Sequence, residues 1–165
     1  MYGIGTDIER VMNVTQLEPR KNVLIVEDDP TYFHLWKRII NDLGVKNLWS
    51  VQTPEKAKAI LEKGKPDLLI SDVILPGISG YDLAKLARQK YPTMEILLTT
   101  GYQTDLSRFY LEGLKCHLLH KPYHNLKDVC LLLKKLLNNE NVFAGMAEDS
   151  FSDNEDFPEI TEWTL

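Results

Sequence analysis

The sequence has no apolar segment long enough to cross a bilayer and only two cysteines. Its apolar runs are far shorter than the about 18 residues that a transmembrane helix needs. The first residues lack the basic stretch followed by an apolar stretch that a secretion signal requires. Cys116 and Cys130 are too few for a disulfide framework, so we expect two reduced thiols in a cytoplasmic protein without a membrane partner.

Positive charge is missing from the last part of the chain. Residues 138–165 carry eight acidic residues and no lysine or arginine, whereas residues 21–137 carry 17 basic and 13 acidic residues. This profile is a poor one for a nucleic-acid-binding protein, so we expect no direct nucleic-acid partner. We predict three parts: an N-terminal extension over residues 1–20, one domain over residues 21–137, and an acidic tail over residues 138–165. The tail is either flexible and solvated or a docking peptide.

Short apolar runs alternate with segments of helical periodicity five times along the domain. Strands separated by helices imply parallel pairing with right-handed crossovers, so we expect an α/β domain with helices on both faces of the sheet. Asp29, Thr53 and Asn125 are predicted to cap helices. The predicted strands are Lys21–Val26, Val45–Val51, Leu68–Asp72, Glu95–Thr99 and Cys116–Leu119, and the predicted helices are Pro30–Leu43, Pro54–Lys63, Tyr81–Tyr91, Thr104–Leu114 and Leu126–Leu137.

Polar residues follow the predicted strands at the same end of each. Glu27 and Asp28 follow the first strand, Asp72 ends the third, and Thr100 and Lys121 follow the fourth and fifth. Parallel strands bring these residues to one edge of the sheet, where ligands bind in such folds. Two carboxylates about 4 Å apart repel each other by roughly 4 kcal/mol. A hard divalent cation such as Mg²⁺, which prefers oxygen ligands, would relieve this repulsion.

Carboxylates, a metal ion, a lysine and a hydroxyl together suit phosphoryl transfer. The sequence shows no glycine-rich phosphate loop, and no serine or cysteine nucleophile with a histidine base stands out. Asp72 is therefore the natural nucleophile, and it would form an acyl phosphate. Lys121 would neutralise a phosphoryl oxygen, and Thr100 would supply a hydroxyl donor. Taken alone, Asp72 is equally well explained as an aspartate that begins a turn.

Four short motifs, in this order and at this spacing, resemble the receiver domain of two-component response regulators, chemotaxis regulators among them. Asp28 precedes Asp72 by 44 residues, Asp72 precedes Thr100 by 28, and Thr100 precedes Lys121 by 21. The resemblance covers about residues 21–137. It implies a flavodoxin-like five-stranded parallel sheet of order 2-1-3-4-5, with five helices in three layers. The motifs are Ile25–Pro30, Asp72–Gly80, Thr99–Gly101 and Lys121–Pro122.

The resemblance implies a phosphoacceptor and a metal site. Asp72 would accept a phosphoryl group from the phosphohistidine of a sensor histidine kinase or of a phosphotransfer protein. Glu27 and Asp28, together with Asp72 and the backbone carbonyl of Ile74, would hold Mg²⁺. The chain would catalyse its own phosphorylation and would not be a turnover enzyme.

The resemblance also implies a conformational switch. Thr100 would turn to bond the phosphoryl group and Lys121 would neutralise it, with a cis bond between Lys121 and Pro122. The family usually has an aromatic residue three positions before the lysine, and here that residue is Leu118. We therefore expect the usual coupling of threonine and aromatic ring to be altered or absent, with Tyr102 covering the site instead.

The predicted fourth helix, fifth strand and fifth helix would form the surface that changes on phosphorylation. This surface would regulate a downstream protein partner or join two copies in a homodimer. Three alternatives stay open: a receiver-fold interaction module that works without phosphate, a fragment of a longer regulator or hybrid kinase, and an aspartyl-phosphate phosphatase. Ile74 argues against the phosphatase, because those enzymes usually carry a second acid two residues after the nucleophile.

Overall fold

The computed structural model describes residues 21–101, residues 114–139 and the backbone of residues 161–162. Strands and helices alternate along the described part of the domain. The strands are β1 (Asn22–Val26), β2 (Asn47–Val51), β3 (Leu68–Asp72), β4 (Glu95–Thr100), β5 (His117–His120) and β6 (Thr161–Glu162), and the helices are α1 (Pro30–Asp42), α2 (Pro54–Lys63), α3 (Gly80–Lys90) and α4 (Leu126–Leu137).

The sheet contains the five parallel strands that the sequence predicts, in the order β2-β1-β3-β4-β5. One correction is a sixth strand, β6, which pairs antiparallel with β5 so that Leu118 faces Thr161. Two residues are too few to show a strand period, so no sequence pattern marked β6. Four of the five predicted helices lie in the described part. The one expected at 104–114 falls outside it except for Leu114, which is not helical, and residues 1–20 also fall outside it.

The helices cover both faces of the sheet and make three layers. On β1, Leu24 and Val26 pack in one core cluster with residues of α2 and α3. Val23 and Ile25 point to the other face, where they pack with residues of α1 and α4. Each of these four side chains is fully buried, and burying one such side chain contributes about 1.5–3 kcal/mol. This packing fixes the strands and therefore the positions of the residues at their ends.

Capping side chains set where the helices begin. The Oδ1 of Asp29 accepts hydrogen bonds from the backbone N–H groups of Thr31 and Tyr32, at 2.8 and 3.2 Å. Thr53 and Asn125 cap α2 and α4 in the same way. The three predicted caps are confirmed. The Asp29 carboxylate binds the backbone at the start of α1, as expected for a cap that is not a metal ligand.

Two further features of the described residues concern the cysteines and the length of the helices. Cys116 and Cys130 are both free thiols, and burial raises the pKa of the Cys116 thiol to about 12, so it stays protonated at neutral pH. Within residues 21–101 and 114–139, no helix has the length and the apolar character needed to cross a membrane.

Candidate functional site

The strand register brings the predicted site residues to the carboxyl edge of the sheet. Val26, the last residue of β1, lies opposite Ser71 of β3, so Glu27 and Asp72 follow side by side. Asp72 in turn lies opposite Thr99 of β4. The parallel sheet therefore places residues from three distant parts of the chain next to one another.

Three carboxylates meet at this edge. One oxygen from each of Glu27, Asp28 and Asp72 lies within 4.8 Å of the other two. Glu27 is almost fully buried at 1% exposure, Asp28 is exposed, and the Asp72 side chain is 12% exposed. Mg²⁺ binds to carboxylate oxygens and keeps some of its water ligands. A cluster of carboxylates that is exposed to solvent on one side therefore suits this ion. The residues present fit the ion that the sequence predicts.

Lys121 joins two of the three carboxylates. Its Nζ lies 2.7 Å from Oε2 of Glu27 and 2.6 Å from Oδ2 of Asp72. Burial lowers the pKa of Lys121, but the hydrogen bonds with Asp72 and Glu27 outweigh burial and the pKa is raised. The lysine is therefore charged at neutral pH, and it neutralises part of the negative charge at this edge.

The charge on Glu27 depends on its neighbours. Burial raises the pKa of Glu27, and the hydrogen bond from Lys121 opposes that effect only in part. The backbone N–H of Asp29 donates a further hydrogen bond to Oε1, at 3.2 Å. A buried carboxylate with a raised pKa is one that an additional cation would stabilise in its charged form.

The loop after β3 holds the Asp72 carboxylate in place. The backbone N–H of Ile74 donates to Oδ1 of Asp72 at 2.8 Å, and the Ile74 side chain is 54% exposed at the rim. The N–H of Gly80 donates to the carbonyl of Val73 at 2.8 Å. A side chain at Gly80 would overlap the backbone carbonyl of Asp72, so the loop closes this tightly only with glycine there.

Thr100 and Lys121 lie on adjacent strand ends. The backbone N–H of Lys121 donates to the carbonyl of Thr100 at 2.7 Å, and Thr100 is fully buried. The Lys121–Pro122 peptide bond is cis. The Leu118 side chain is buried in the core cluster shared with α2 and α3. Tyr102 lies outside the described residues.

One aromatic residue beside the site was missed in the sequence. The Nζ of Lys121 lies over the ring of Tyr32, 4.1 Å from its centroid. Tyr32 is in the first turn of α1, four residues after Asp28 of the acidic pair. Its closeness in sequence to Glu27 and Asp28 could have indicated that Tyr32 lies near the site. The contact with Lys121, 89 positions later, could not be inferred from the sequence.

A comparison with protein families places these residues in a known context. The model of the response regulator receiver domain matches residues 23–130. Among curated proteins, the chain is 34% identical over 116 residues to the transcriptional regulatory protein TcrA of Mycobacterium tuberculosis, covering 69% of this chain and 45% of TcrA. It is 36% identical over 83 residues to the response regulator protein FleR of Pseudomonas aeruginosa, covering 48% and 17%. The chain spans less than half the length of these relatives.

Solved structures agree with the family match. A CheY-like response regulator receiver domain protein from Methanospirillum hungatei superposes with a TM-score of 0.65 at 28% identity, covering 73% of this chain and 95% of that one. The receiver domain of the hybrid histidine kinase CckA superposes with a TM-score of 0.57 at 31% identity, covering 70% and 98%. The fold, the acidic edge and the family match agree, and the chain belongs to the response regulator receiver domain family of two-component systems.

Proposed function

We propose that this chain accepts a phosphoryl group on Asp72, with Mg²⁺, from the phosphohistidine of a sensor histidine kinase or phosphotransfer protein. The observation that supports this most is the Lys121 ammonium, which contacts both Glu27 and Asp72. A lysine ammonium beside a carboxylate nucleophile suits the neutralisation of a transferring phosphoryl group.

In the proposed reaction an Asp72 carboxylate oxygen attacks the phosphorus atom. The new P–O bond forms as the P–N bond of the phosphohistidine breaks, and the electron pair of that bond goes to the imidazole nitrogen. Lys121 pairs with an oxygen of the transferred group, and the Thr100 hydroxyl donates to another. The chain is itself the modified product, so we propose a self-catalysed acceptor rather than a turnover enzyme.

Four groups of this chain would hold Mg²⁺: the carboxylates of Glu27, Asp28 and Asp72, and the backbone carbonyl of Ile74. The convergence of the three carboxylates supports this assignment, and the Ile74 carbonyl rests on the family resemblance. When bound, the ion supplies positive charge to the phosphoryl oxygens. Glu27 and Asp28 then act by fixing that charge beside Asp72.

The proposed output is a surface made of β5, α4 and the helix predicted at 104–114, which would complete the five helices of the fold. An aspartyl phosphate brings nearly two negative charges to the sheet edge, and Thr100 and Lys121 would shift to bond it. The shift favours one of two arrangements of this surface, which would regulate a downstream protein or join two copies. The proposed location of this exchange is the cytoplasm, as expected for a chain with two free thiols.

A second candidate function is a receiver fold that binds partners without being phosphorylated. It is favoured by Leu118, which stands where the family usually has an aromatic switch residue and which is buried in the core. A third candidate, a piece of a longer regulator or hybrid kinase, is compatible with the greater length of the relatives.

The direct test is chemical phosphorylation of the protein. Wild type is incubated with acetyl phosphate and Mg²⁺, and its intact mass is measured beside Asp72→Asn and the control Asp42→Asn, which changes an exposed acid on α1. We expect one added phosphoryl group on wild type and on the control, and none on Asp72→Asn. If wild type gains no phosphoryl group from a small phosphodonor or from a panel of phosphorylated kinases, the result would favour the phosphate-independent module.

A further inference from the structure

The ammonium group of Lys121 has three N–H donors and two carboxylate partners. Glu27 and Asp72 accept hydrogen bonds from Nζ at 2.7 and 2.6 Å. The ring of Tyr32 lies under the same nitrogen, 4.1 Å from its centroid. An ammonium this close to an aromatic face is attracted by the ring's negative quadrupole, and the attraction grows as water is excluded. The Lys121 side chain is only 7% exposed, so the contact is largely dry.

Tyr32 is itself held in place from two sides. Its backbone N–H bonds to the capping carboxylate of Asp29 at 3.2 Å, which fixes the first turn of α1. Its ring meets the ring of Tyr123 edge to face, with centroids 5.4 Å apart, and Tyr123 packs against Trp36 at 5.2 Å. The ring under Lys121 is therefore part of a packed aromatic group formed by α1 and the loop between β5 and α4.

We infer that Tyr32 is a positioning residue for Lys121. The face of the Tyr32 ring holds the Lys121 ammonium between the Glu27 and Asp72 carboxylates. Two consequences follow for the proposed phosphorylation, on which this inference rests. First, the ring favours the arrangement in which Lys121 competes with Mg²⁺ for Glu27 and Asp72. Second, it keeps the ammonium within reach of a phosphoryl group arriving on Asp72.

The inference is tested with two substitutions at one position. Tyr32→Phe keeps the ring face and removes only the hydroxyl, whereas Tyr32→Leu removes the ring. We expect Tyr32→Leu to bind Mg²⁺ about 3- to 10-fold more tightly by calorimetric titration, because its competitor is held less firmly. We expect its initial rate of phosphorylation by acetyl phosphate to fall by a similar factor. Tyr32→Phe should match wild type within about two-fold in both measurements.

A matched control lies on the same helix. Phe33 is next to Tyr32, and its ring also carries a lysine, Lys37, with Nζ 5.4 Å from the centroid. That lysine is no part of the acidic edge, so Phe33→Leu should leave both the Mg²⁺ affinity and the phosphorylation rate at the wild-type values. Circular dichroism and urea denaturation establish that each variant is folded before the comparison is made.

A readout that requires neither phosphate nor metal separates this inference from the proposed function. Protons above an aromatic face are shifted upfield, so the ε-methylene protons of Lys121 should be upfield in the NMR spectra of wild type and Tyr32→Phe. In Tyr32→Leu they should return towards the usual lysine position. A Tyr32→Leu variant with the spectrum and the Mg²⁺ affinity of wild type would overturn the inference, as would Tyr32→Phe behaving like Tyr32→Leu. Failure of wild type to accept phosphate would instead count against the proposed function.

Discussion

The Oδ2 atom of Asp72 lies 2.6 Å from the Nζ of Lys121, so the proposed phosphoacceptor is ion-paired before any phosphoryl group arrives. The same nitrogen contacts Glu27, whose side chain is 1% exposed. A buried charge that loses its partner is costly, whereas the pair together costs much less. Lys121 therefore stabilises the unphosphorylated protein by pairing with these carboxylates, in addition to its proposed role in phosphoryl transfer.

Replacing Lys121 should show this stabilisation. Lys121→Met leaves the Glu27 and Asp72 carboxylates side by side, and we expect the free energy of unfolding without Mg²⁺ to fall by about 3 kcal/mol. Adding Mg²⁺ should restore much of the loss, since the ion replaces the missing positive charge. Urea denaturation with and without Mg²⁺ measures both effects.

Lys90→Met is the control for that experiment. Lys90 pairs with Glu62 at 2.7 Å, but both side chains are exposed to a third or more. An exposed ion pair contributes about 0–1 kcal/mol, so this variant should change little and should not respond to Mg²⁺. A loss as large as that of Lys121→Met would mean that the acidic edge has no special need of its lysine.

Asp28 should matter for the metal and little for the resting fold. Asp28 is exposed. Of the three carboxylates at this edge, Lys121 contacts those of Glu27 and Asp72 and leaves that of Asp28. In wild type, Mg²⁺ at 100 times its dissociation constant should raise the free energy of unfolding by about 2.7 kcal/mol. We expect Asp28→Asn to keep or raise the metal-free stability, because it removes one of three mutually repelling carboxylates, and to lose most of that increase. Thermal denaturation at several Mg²⁺ concentrations checks this, and an unchanged response would remove Asp28 from the metal site.

Two glycines near the site offer a matched test of sterics. A Cβ at Gly80 would overlap the carbonyl of Asp72, whereas a Cβ at Gly101 would meet no atom of the described residues within 4 Å. We expect Gly80→Ala to lower the free energy of unfolding by about 1–3 kcal/mol and to slow phosphorylation, because the backbone of Asp72 must move. Gly101→Ala should leave both unchanged. If the two variants behave alike in urea denaturation and phosphodonor labelling, the close packing of Gly80 on Asp72 does not matter.

The stability of the sheet should depend on pH through Glu95. The hydrogen bond from His117 lowers the pKa of Glu95, against the effect of burial, and the two side-chain atoms lie 3.3 Å apart. Since the folded pKa is below the ordinary value of 4.5, this stabilisation is complete above pH 4.5 and is lost as the pH falls through the folded pKa. Glu95→Gln should therefore lose less stability on acidification below pH 4.5 than wild type does.

The control for the pH experiment is Glu62→Gln, which changes an exposed acid. Its stability should follow the wild-type curve between pH 3 and pH 6, a range of about three units around the ordinary glutamate pKa. Parallel curves for wild type and Glu95→Gln would show that the His117 contact contributes no proton-linked stability.

The C-terminal strand β6 should protect the edge of the sheet. It covers β5 at His117 and Leu118, and an uncovered edge strand exposes backbone groups that pair with other chains. We expect a chain lacking residues 140–165 to accept phosphate at the wild-type rate and to self-associate more strongly in sedimentation velocity. Unchanged association would favour the solvated tail over the docking peptide.

Local patterns in the sequence reveal much of the fold. Apolar runs such as Val23–Val26 and caps such as Asp29 are recognised from residues that are adjacent in the sequence. The strand positions and helix starts could therefore be predicted to within a few residues. The strand order came from resemblance to a family, and the chain belongs to that family. The roles at Asp72 and Lys121 were reasoned from the residue types at the strand ends as well as from the resemblance, and they stay predictions. β6 was missed because two residues carry no recognisable period.

The sequence by itself determined which residues end the strands, and parallel pairing then required that Glu27, Asp72 and Lys121 share one edge. Only the tertiary structure decided which of them touch. The contacts of Lys121 join residues 49 and 94 positions apart in the chain, and the ring of Tyr32 joins them from a helix on one face of the sheet. Such contacts depend on how helices pack across the sheet, which no local pattern of residues encodes.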